Sequence, residues 1–331
     1  MVANRLRAGA ALPLTGRYGA LAAQSARGLR AWASDSGARL TIEDCGEDPA
    51  EAARRAEALA ARVDVLFGPY GSGAMRAVAV AFAGRSVVVW NHGGAALDHT
   101  GAWIVDVLAP AARYWAGLAQ VLESVGVSLN RVAILRSDGG FGHAVGAGAI
   151  ASLHAAGVEP LVVATFDQRT AAAAAAAALD ARATAIIGCG RFEDDVALGL
   201  ALRGADVAVG LVACGVADAL TSLGDTVLGW LGPCQWLADG RAPATLGAEP
   251  GYPAAQAYAC GQIAELAIDA AGTTDPPAVW DAVRRLRTRT FFGMFAIDRD
   301  GRQIGHSPSL VQWTASTRGP VRQVVWPSED G

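Results

Sequence analysis

The sequence predicts an α/β protein built from two doubly wound halves. Short runs of apolar and β-branched residues alternate with helical runs along most of the chain, which is the pattern of parallel sheets covered by helices. The chain has 331 residues, a length that exceeds one ordinary core and suits two domains. The alternation begins anew near residue 110, so we expect two halves of similar construction.

The first half is predicted to alternate strands with helices. The predicted strands are Leu6–Ala11, Arg39–Glu43, Val63–Phe67, Ser86–Trp90 and Trp103–Val107. The predicted helices are Ala22–Ser34, a helix that begins after Asp48, and Ala74–Phe82. The second helix has a clear start signal, because Asp48 is a favourable N-cap and Pro49 fits the first helical position.

The second half is predicted to repeat this alternation. The predicted strands are Arg131–Leu135, Pro160–Phe166, Thr184–Gly188 and Val207–Ala213, and the predicted helices are Ala111–Val125, His143–Ala156, Thr170–Ala181 and Phe192–Arg203. Residues 171–178 are all alanine. Because alanine has the highest helix propensity, we interpret this tract as a helix.

The last third of the chain departs from the alternation. Leu237–Pro253 is rich in Pro, Gly and Ala and predicts a connection. A long helix is predicted at Pro253–Ala271, with Tyr258, Ile263 and Leu266 on its apolar face. After a further helix at Pro276–Leu286, the tail from Phe292 to Trp326 predicts short strands.

Composition excludes several classes of protein. The net charge is -4 and like charges form no block, which argues against a nucleic-acid surface. No apolar run approaches the roughly 20 residues that span a bilayer, and the short run Ala8–Leu14, broken by Pro13, does not predict a signal peptide. The five cysteines form no CxxC pair, so we expect buried thiols and no metal site.

The segment Phe67-Gly-Pro-Tyr-Gly-Ser-Gly-Ala74 is the strongest local signal. It lies between a predicted strand and a predicted helix, which places backbone N–H groups and the Ser72 hydroxyl at a helix N-terminus, a favourable site for a carboxylate or other anion. Tyr70 is expected to form a wall of this site. The absence of lysine from the loop argues against a phosphate-binding P-loop. The alternative is a plain strand-to-helix turn with a serine cap.

Small residues follow several predicted strands in both halves. We expect the carboxyl ends of the two sheets to face each other and to form a cleft. The candidate cleft loops are Leu14–Gly19, Pro69–Gly73, Asn91–Ala95, Gly139–Gly142, Cys189–Phe192 and Cys214–Val216.

The order and spacing of the motifs resemble those of a known family. The motifs are Leu12-Pro-Leu-Thr-Gly-Arg-Tyr-Gly19, Arg27-Gly28, Glu43-Asp44 with Asp48-Pro49, the loop Phe67–Gly73, Phe141-Gly142-His143, the helix around Tyr258, and Phe292-Gly293 with Asp298–Gly301. Together they are similar to the Leu/Ile/Val-binding family of extracellular ligand-binding receptors. These are substrate-binding proteins of ABC importers with the type I periplasmic binding fold, in which two doubly wound, Rossmann-like lobes move about a hinge.

The resemblance implies a set of ligand-binding residues. On the first lobe they are Tyr18, Tyr70, Gly71, Ser72, Gly93, Gly94 and Ala95, and on the second lobe Phe141, Arg191 and Cys214. Amino-acid binders of the family add an acidic residue in the loop that here contains Cys214, and no acid occupies that position. This departure favours carboxylates or amides without a free ammonium group. The first-lobe disulfide of the Leu/Ile/Val binders is also not expected, because Cys45 has no partner near Gly71.

The same resemblance implies the domain organisation and the partners. The N-terminal lobe is expected to contain residues 1–107 and 237–304, and the C-terminal lobe residues 108–236 and 305–331. The expected partners are a small-molecule ligand (an amino acid, an aromatic acid or an amide) and an ABC permease, with no nucleic acid, cofactor or metal. The expected location is extracytoplasmic.

Two alternatives remain open. Tyr70-x-Ser72 and Trp90-Asn91-His92 are also similar to amide-sensing members of the fold, which would make the chain a cytoplasmic sensor that regulates a protein partner. A nucleotide-dependent enzyme is the second alternative, but Gly140-Phe-Gly142 lacks a correctly spaced third glycine. We therefore expect no catalytic residues.

The roles of two loop residues are also open. Arg191 can pair with a ligand carboxylate or be a solvated loop arginine, and His92 can donate to a ligand or be a loop histidine.

Overall fold

The structure, a computed structural model, describes residues 6–99 and 101–327, with the backbone alone at residues 217 and 218. The strands are β1 (Arg7–Leu12), β2 (Arg39–Asp44), β3 (Val65–Phe67), β4 (Val88–Asn91), β5 (Trp103–Asp106), β6 (Val132–Ser137), β7 (Val162–Phe166), β8 (Ala185–Cys189), β9 (Ala208–Leu211), β10 (Leu231–Cys234), β11 (Thr288–Thr290), β12 (Gly293–Phe295), β13 (Ser309–Thr314) and β14 (Val321–Trp326).

Helices follow most of the parallel strands. They are α1 (Gly19–Ser36), α2 (Pro49–Ala60), α3 (Ser72–Phe82), α4 (Leu118–Ser124), α5 (Gly140–Ala155), α6 (Ala171–Asp180), α7 (Phe192–Ala201), α8 (Ala217–Leu220), α9 (Tyr252–Ala271) and α10 (Pro276–Arg285). Within the described ranges, none of these helices is long and apolar enough to cross a membrane.

The chain divides into two compact units. The first contains the residues up to Pro110 together with Trp236–His306, and the second contains Ala111–Gln235 together with the residues from Ser307 onward. The backbone therefore passes from one unit to the other three times, after Pro110, after Gln235 and after His306.

The first unit is built around a sheet of five parallel strands in the order β2-β1-β3-β4-β5. Helices α1 and α9 pack closely together because small residues line their contact. A Cβ atom added at Gly28 would lie 2.1 Å from the carbonyl oxygen of Ala254, and one at Gly261 would lie 2.3 Å from the Trp32 ring. Trp32 itself is fully buried against Phe67 of β3, so this helix pair forms the main core beside the sheet.

The second unit repeats this topology. Its parallel strands have the order β7-β6-β8-β9-β10, which matches the order in the first unit, and β13 and β14 extend the sheet beyond β10 in antiparallel fashion. The predicted α/β class with doubly wound sheets is thereby confirmed for each unit.

Several local predictions have definite outcomes. The Asp48 side chain accepts the Ala50 N–H at 2.9 Å and caps α2 as predicted, and the alanine tract forms α6. The single helix predicted at Ala111–Val125 is wrong, because the chain forms one 3-10 turn there and α4 starts only after Gly117. Leu266 is 41% exposed, so its predicted place on the apolar face of α9 is also wrong.

Candidate functional site

The strand order of the first unit places the loops after β1 and β3 side by side. In this topology the crevice at the carboxyl edge lies where the strand order reverses, which here is between β1 and β3. The loop after β1 contains Tyr18, and the loop after β3 contains Tyr70, Gly71 and Ser72. The residues predicted in the first lobe are therefore brought to one edge of the sheet.

Gly71 forms the turn from β3 into α3. It has φ 101° and ψ 133° at the N-cap position, a conformation that L-residues with a side chain rarely adopt. Its N–H donates to the carbonyl oxygen of Gly93 at 2.9 Å. This bond ties the loop after β3 to the loop after β4.

Ser72 is the first residue of α3 and does not cap it. Its hydroxyl oxygen accepts the Ala96 N–H at 3.1 Å, so the serine cap in the alternative of a plain turn is wrong. The first N–H groups of any α-helix have no partner within the helix, and Gly71 has no side chain to cap them. The half-buried Ser72 hydroxyl proton and the N–H groups of Ser72, Gly73 and Ala74 therefore form a donor set suited to a carboxylate.

Asn91 organises the loop after β4. Its Oδ1 accepts the N–H groups of Gly93 at 3.1 Å and Gly94 at 2.8 Å, and its Nδ2 donates to Asp106 at 2.7 Å. The N–H groups of Gly93 and Gly94, which the resemblance assigns to a ligand, are thus engaged within the protein. This corrects their expected role as donors. The Asn91 side chain makes these two bonds to Gly93 and Gly94, and the role of Ala95, in the same loop, stays a prediction.

Three tyrosines lie together beside the α3 N-terminus. The rings of Tyr18 and Tyr70 make an edge contact with centroids 6.1 Å apart, and Tyr18 packs over Gly71, where an added Cβ would be 3.4 Å from its ring. The hydroxyl of Tyr70 is hydrogen-bonded to that of Tyr252. Tyr252 begins α9 and is a site residue that the sequence interpretation missed, because it falls in a stretch predicted to be a connection.

His92 is not available to a ligand. Its ring has no exposed surface, and this burial lowers the pKa of His92 to about 4. The ring is therefore neutral at physiological pH, and His92 is a buried histidine of the loop after β4.

The second unit presents Phe141 at the start of α5. Its half-buried ring makes an edge contact with Tyr114, with centroids 5.9 Å apart and an interplanar angle of 78°. Tyr114 is a second aromatic residue that sequence reasoning did not select. Phe141 follows β6 at the strand reversal of this unit, in the topological position that Tyr18 holds in the first, whereas Tyr114 precedes β6 in the chain.

Arg191 is held by an acid of its own helix. Its Nε donates to Asp194 Oδ2 at 2.7 Å, and the second contact, from NH2 to Oδ1, is 3.3 Å. The Asp194 side chain is only 2% exposed, whereas that of Arg191 is 40% exposed. This ion pair engages the Nε edge of the guanidinium, and pairing of Arg191 with a ligand carboxylate stays a prediction.

Cys214 does not line an accessible surface. It has 0% exposure and packs in the apolar core of the second unit, and burial raises the pKa of its thiol well above the usual value. The other cysteines are also buried and free, as predicted. Among the side chains that the structure describes, no group of His, Cys, Asp and Glu has an arrangement that could hold a metal ion.

Solved structures of binding proteins share this architecture. A solute-binding protein of an ABC transporter from R. palustris, in complex with 4-hydroxybenzoate, has a TM-score of 0.84 and 19% identity over 97% of this chain and 96% of that chain. A solute-binding protein of an ABC transporter from Rhodopseudomonas palustris HaA2, in complex with p-hydroxybenzoic acid, has a TM-score of 0.85 and 18% identity over 99% of this chain and 100% of that chain. The leucine-binding protein LivK of Thermotoga maritima MSB8 has a TM-score of 0.79 and 18% identity, covering 96% and 98%.

At these identities the solved structures establish the fold. No curated protein matches the sequence. The family model described as "Periplasmic binding protein" matches residues 5–319, which is nearly the whole chain. This chain therefore belongs to the periplasmic binding protein family.

Proposed function

We propose that this chain is the solute-binding protein of an ABC importer and that it captures a small carboxylate between its two units by hinge closure. The observation that carries the proposal is the start of α3. There the Ser72 hydroxyl and the first N–H groups of the helix lie beside the rings of Tyr18 and Tyr70. A helix N-terminus binds a carboxylate, and flanking aromatic rings bind an apolar body.

An aromatic carboxylate is the ligand class that we favour. Tyr18, Tyr70 and Tyr252 form an aromatic wall, and the loop around Cys214 has no acid that would bind an ammonium group. Structural relatives were solved with 4-hydroxybenzoate, 3,4-dihydroxybenzoic acid and benzoate, and another is a leucine-binding protein. An amino acid and an amide are the other ligand classes to be tested.

The second unit would complete the site with Phe141 and Tyr114. Their edge contact offers an aromatic surface at the reversal of strand order, so it would cover the ligand ring once the carboxylate is bound to the first unit. A permease would then recognise the closed form, and the protein would act outside the cytoplasm without catalysing a reaction.

A ligand screen with three matched probes tests the proposal. Thermal shift and calorimetric titration are measured with 4-hydroxybenzoate, with 4-hydroxybenzamide, which replaces the carboxylate by an uncharged amide, and with leucine. We expect 4-hydroxybenzoate to stabilise the protein by about 2.7 kcal/mol at 100 times its Kd, and the other two probes to have smaller effects. Binding of 4-hydroxybenzamide alone would support the amide-sensor alternative, and binding of leucine alone would contradict the aromatic assignment. If no probe binds, the proposed ligand class is wrong.

A further inference from the structure

Asp195 connects two loops of the second unit through one carboxylate. It lies in the first turn of α7 with 0% exposure. One oxygen, Oδ1, accepts the Gly190 N–H at 2.8 Å, and the other, Oδ2, accepts the Ala213 N–H at 3.1 Å. Gly190 follows β8 and Ala213 follows β9, so this side chain holds together the ends of two neighbouring parallel strands.

The preceding residue extends this connection to a third loop. Asp194 Oδ1 accepts the Gln168 N–H at 2.9 Å, in the loop after β7, while Oδ2 accepts Arg191 Nε. The two consecutive acids therefore fix the carboxyl edge of the second sheet, but they do so at different places. Asp195 alone joins the loops after β8 and β9.

The first unit has the equivalent connection without a charge. Strands β3 and β4 hold the positions in its sheet that β8 and β9 hold in the second. Their loops are joined by the Gly71 N–H, which donates to Gly93, and by the Ala96 N–H, which donates to Ser72 Oγ. The same topological connection is thus made by neutral groups in one unit and by a buried carboxyl group in the other.

We propose that Asp195 is a positioning residue that fixes the loops after β8 and β9 relative to each other at the carboxyl edge of the second sheet. The inference rests on the proposed function for its effect on affinity, because it assumes that these two loops face the ligand. The connection itself rests on the two hydrogen bonds and on complete burial.

The charge of Asp195 gives the connection a pH dependence. Burial raises the pKa of Asp195 to about 7. The titratable groups around it are Asp194, which engages Arg191, and Cys189 and Cys214, whose thiol pKa values are themselves raised by burial. Opening of the loops would admit water and return the carboxyl pKa toward its ordinary value. The closed connection is therefore most stable below pH 7 and opens more readily as pH rises through 7.

Amide exchange of the full chain without ligand tests the connection directly. Protection factors at Gly190 and Ala213, measured by NMR, are expected to fall about tenfold from pH 6 to pH 8 in the wild type. Asp195→Asn should abolish this change because the amide does not titrate in that range. The matched control Asp194→Asn should alter exchange at Gln168 and retain a fall in protection at Gly190 and Ala213, reduced in size because the Asp194 charge helps to raise the pKa of Asp195. Constant protection of the wild type from pH 6 to pH 8 overturns the inference. A fall in protection that is retained in Asp195→Asn also overturns it.

The ligand measurement separates this inference from the proposed function. If 4-hydroxybenzoate binds, its affinity should decrease between pH 6 and pH 8 in the wild type and stay constant in Asp195→Asn. An affinity with the same pH dependence in both proteins would contradict the role of Asp195 in ligand binding. If the wild type binds none of the carboxylates, the proposed function fails, while the exchange data still decide whether Asp195 joins the loops.

Discussion

Ser72 combines a structural and a proposed binding role in one hydroxyl group. The oxygen accepts the Ala96 N–H, which leaves the hydroxyl proton to donate to a ligand. Because accepting one hydrogen bond polarises the O–H group, the hydroxyl becomes a stronger hydrogen-bond donor. The position at the start of α3 adds the favourable end of the helix dipole for an anion.

Ser72→Ala should weaken binding of 4-hydroxybenzoate with little loss of stability. A hydrogen bond to a charged group contributes about 1.5–3 kcal/mol, so we expect the Kd to rise at least roughly tenfold. Loss of the acceptor for Ala96 should cost on the order of 1 kcal/mol of unfolding free energy. Calorimetric titration measures the first effect and urea unfolding the second. The exposed Ser86→Ala is the control, and equal affinities in both variants would remove Ser72 from the site.

At the scale of elements, the contact of α1 with α9 determines how the first unit packs. The helices approach so closely at Gly28 that an added Cβ would overlap the Ala254 carbonyl group, with 2.1 Å to its oxygen and 2.9 Å to its carbon. Backbone cannot move aside as a flexible side chain can, so a larger residue must separate the helices. Since Trp32 on α1 packs against Phe67 of β3, separation would disturb the sheet that carries the candidate site.

Gly28→Ala should therefore destabilise the protein although alanine favours helices. Overpacking of this kind typically costs about 1–3 kcal/mol. Gly73→Ala in α3 is the matched control, because a Cβ there meets nothing within 4 Å and helix propensity alone should stabilise it by about 0.5–1 kcal/mol. Urea unfolding followed by circular dichroism measures both variants. Two variants of equal stability would show that α1 and α9 can separate without cost.

For the whole molecule, the two units carry buried titratable groups of opposite behaviour. In the first unit, burial lowers the pKa of His92 to about 4, so His92 contributes stability above its unfolded value and that stability is lost as pH falls. In the second unit, burial raises the pKa of Asp195 to about 7, so its contribution is present at low pH and is lost as pH rises toward 7. Each effect is on the order of 3 kcal/mol.

The difference in stability between the two units should therefore change with pH. Hydrogen exchange in increasing urea is expected to show the first unit opening earlier relative to the second at pH 5 than at pH 7.5. Asp195→Asn should remove the pH response of the second unit only, because His92 lies in the other unit. A difference in opening free energy between the two units that is the same at pH 5 and at pH 7.5 would contradict this prediction.

Much of the fold follows from local sequence patterns. The alternation of strands and helices, the Asp48 cap and the alanine helix could be predicted because each depends on neighbours along the chain. The break at Gly117 could not, because a Cβ added there would lie 2.2 Å from the ring of Trp326, a contact between distant parts of the sequence. Tyr252 was missed for the same reason, since its partner Tyr70 is 182 residues away.

The sequence by itself determined the α/β class and the glycine-serine loop, because hydrophobic periodicity and turn residues act locally. The two-unit plan followed from the chain length and from the renewed alternation of strands and helices near residue 110. Only the tertiary structure decided what the other predicted site residues contact. Asn91 engages Gly93 and Gly94, Asp194 holds Arg191, and the core covers Cys214. These outcomes depend on loops and core residues that become neighbours only through the strand order. A buried polar group forms hydrogen bonds with the groups that the fold places beside it.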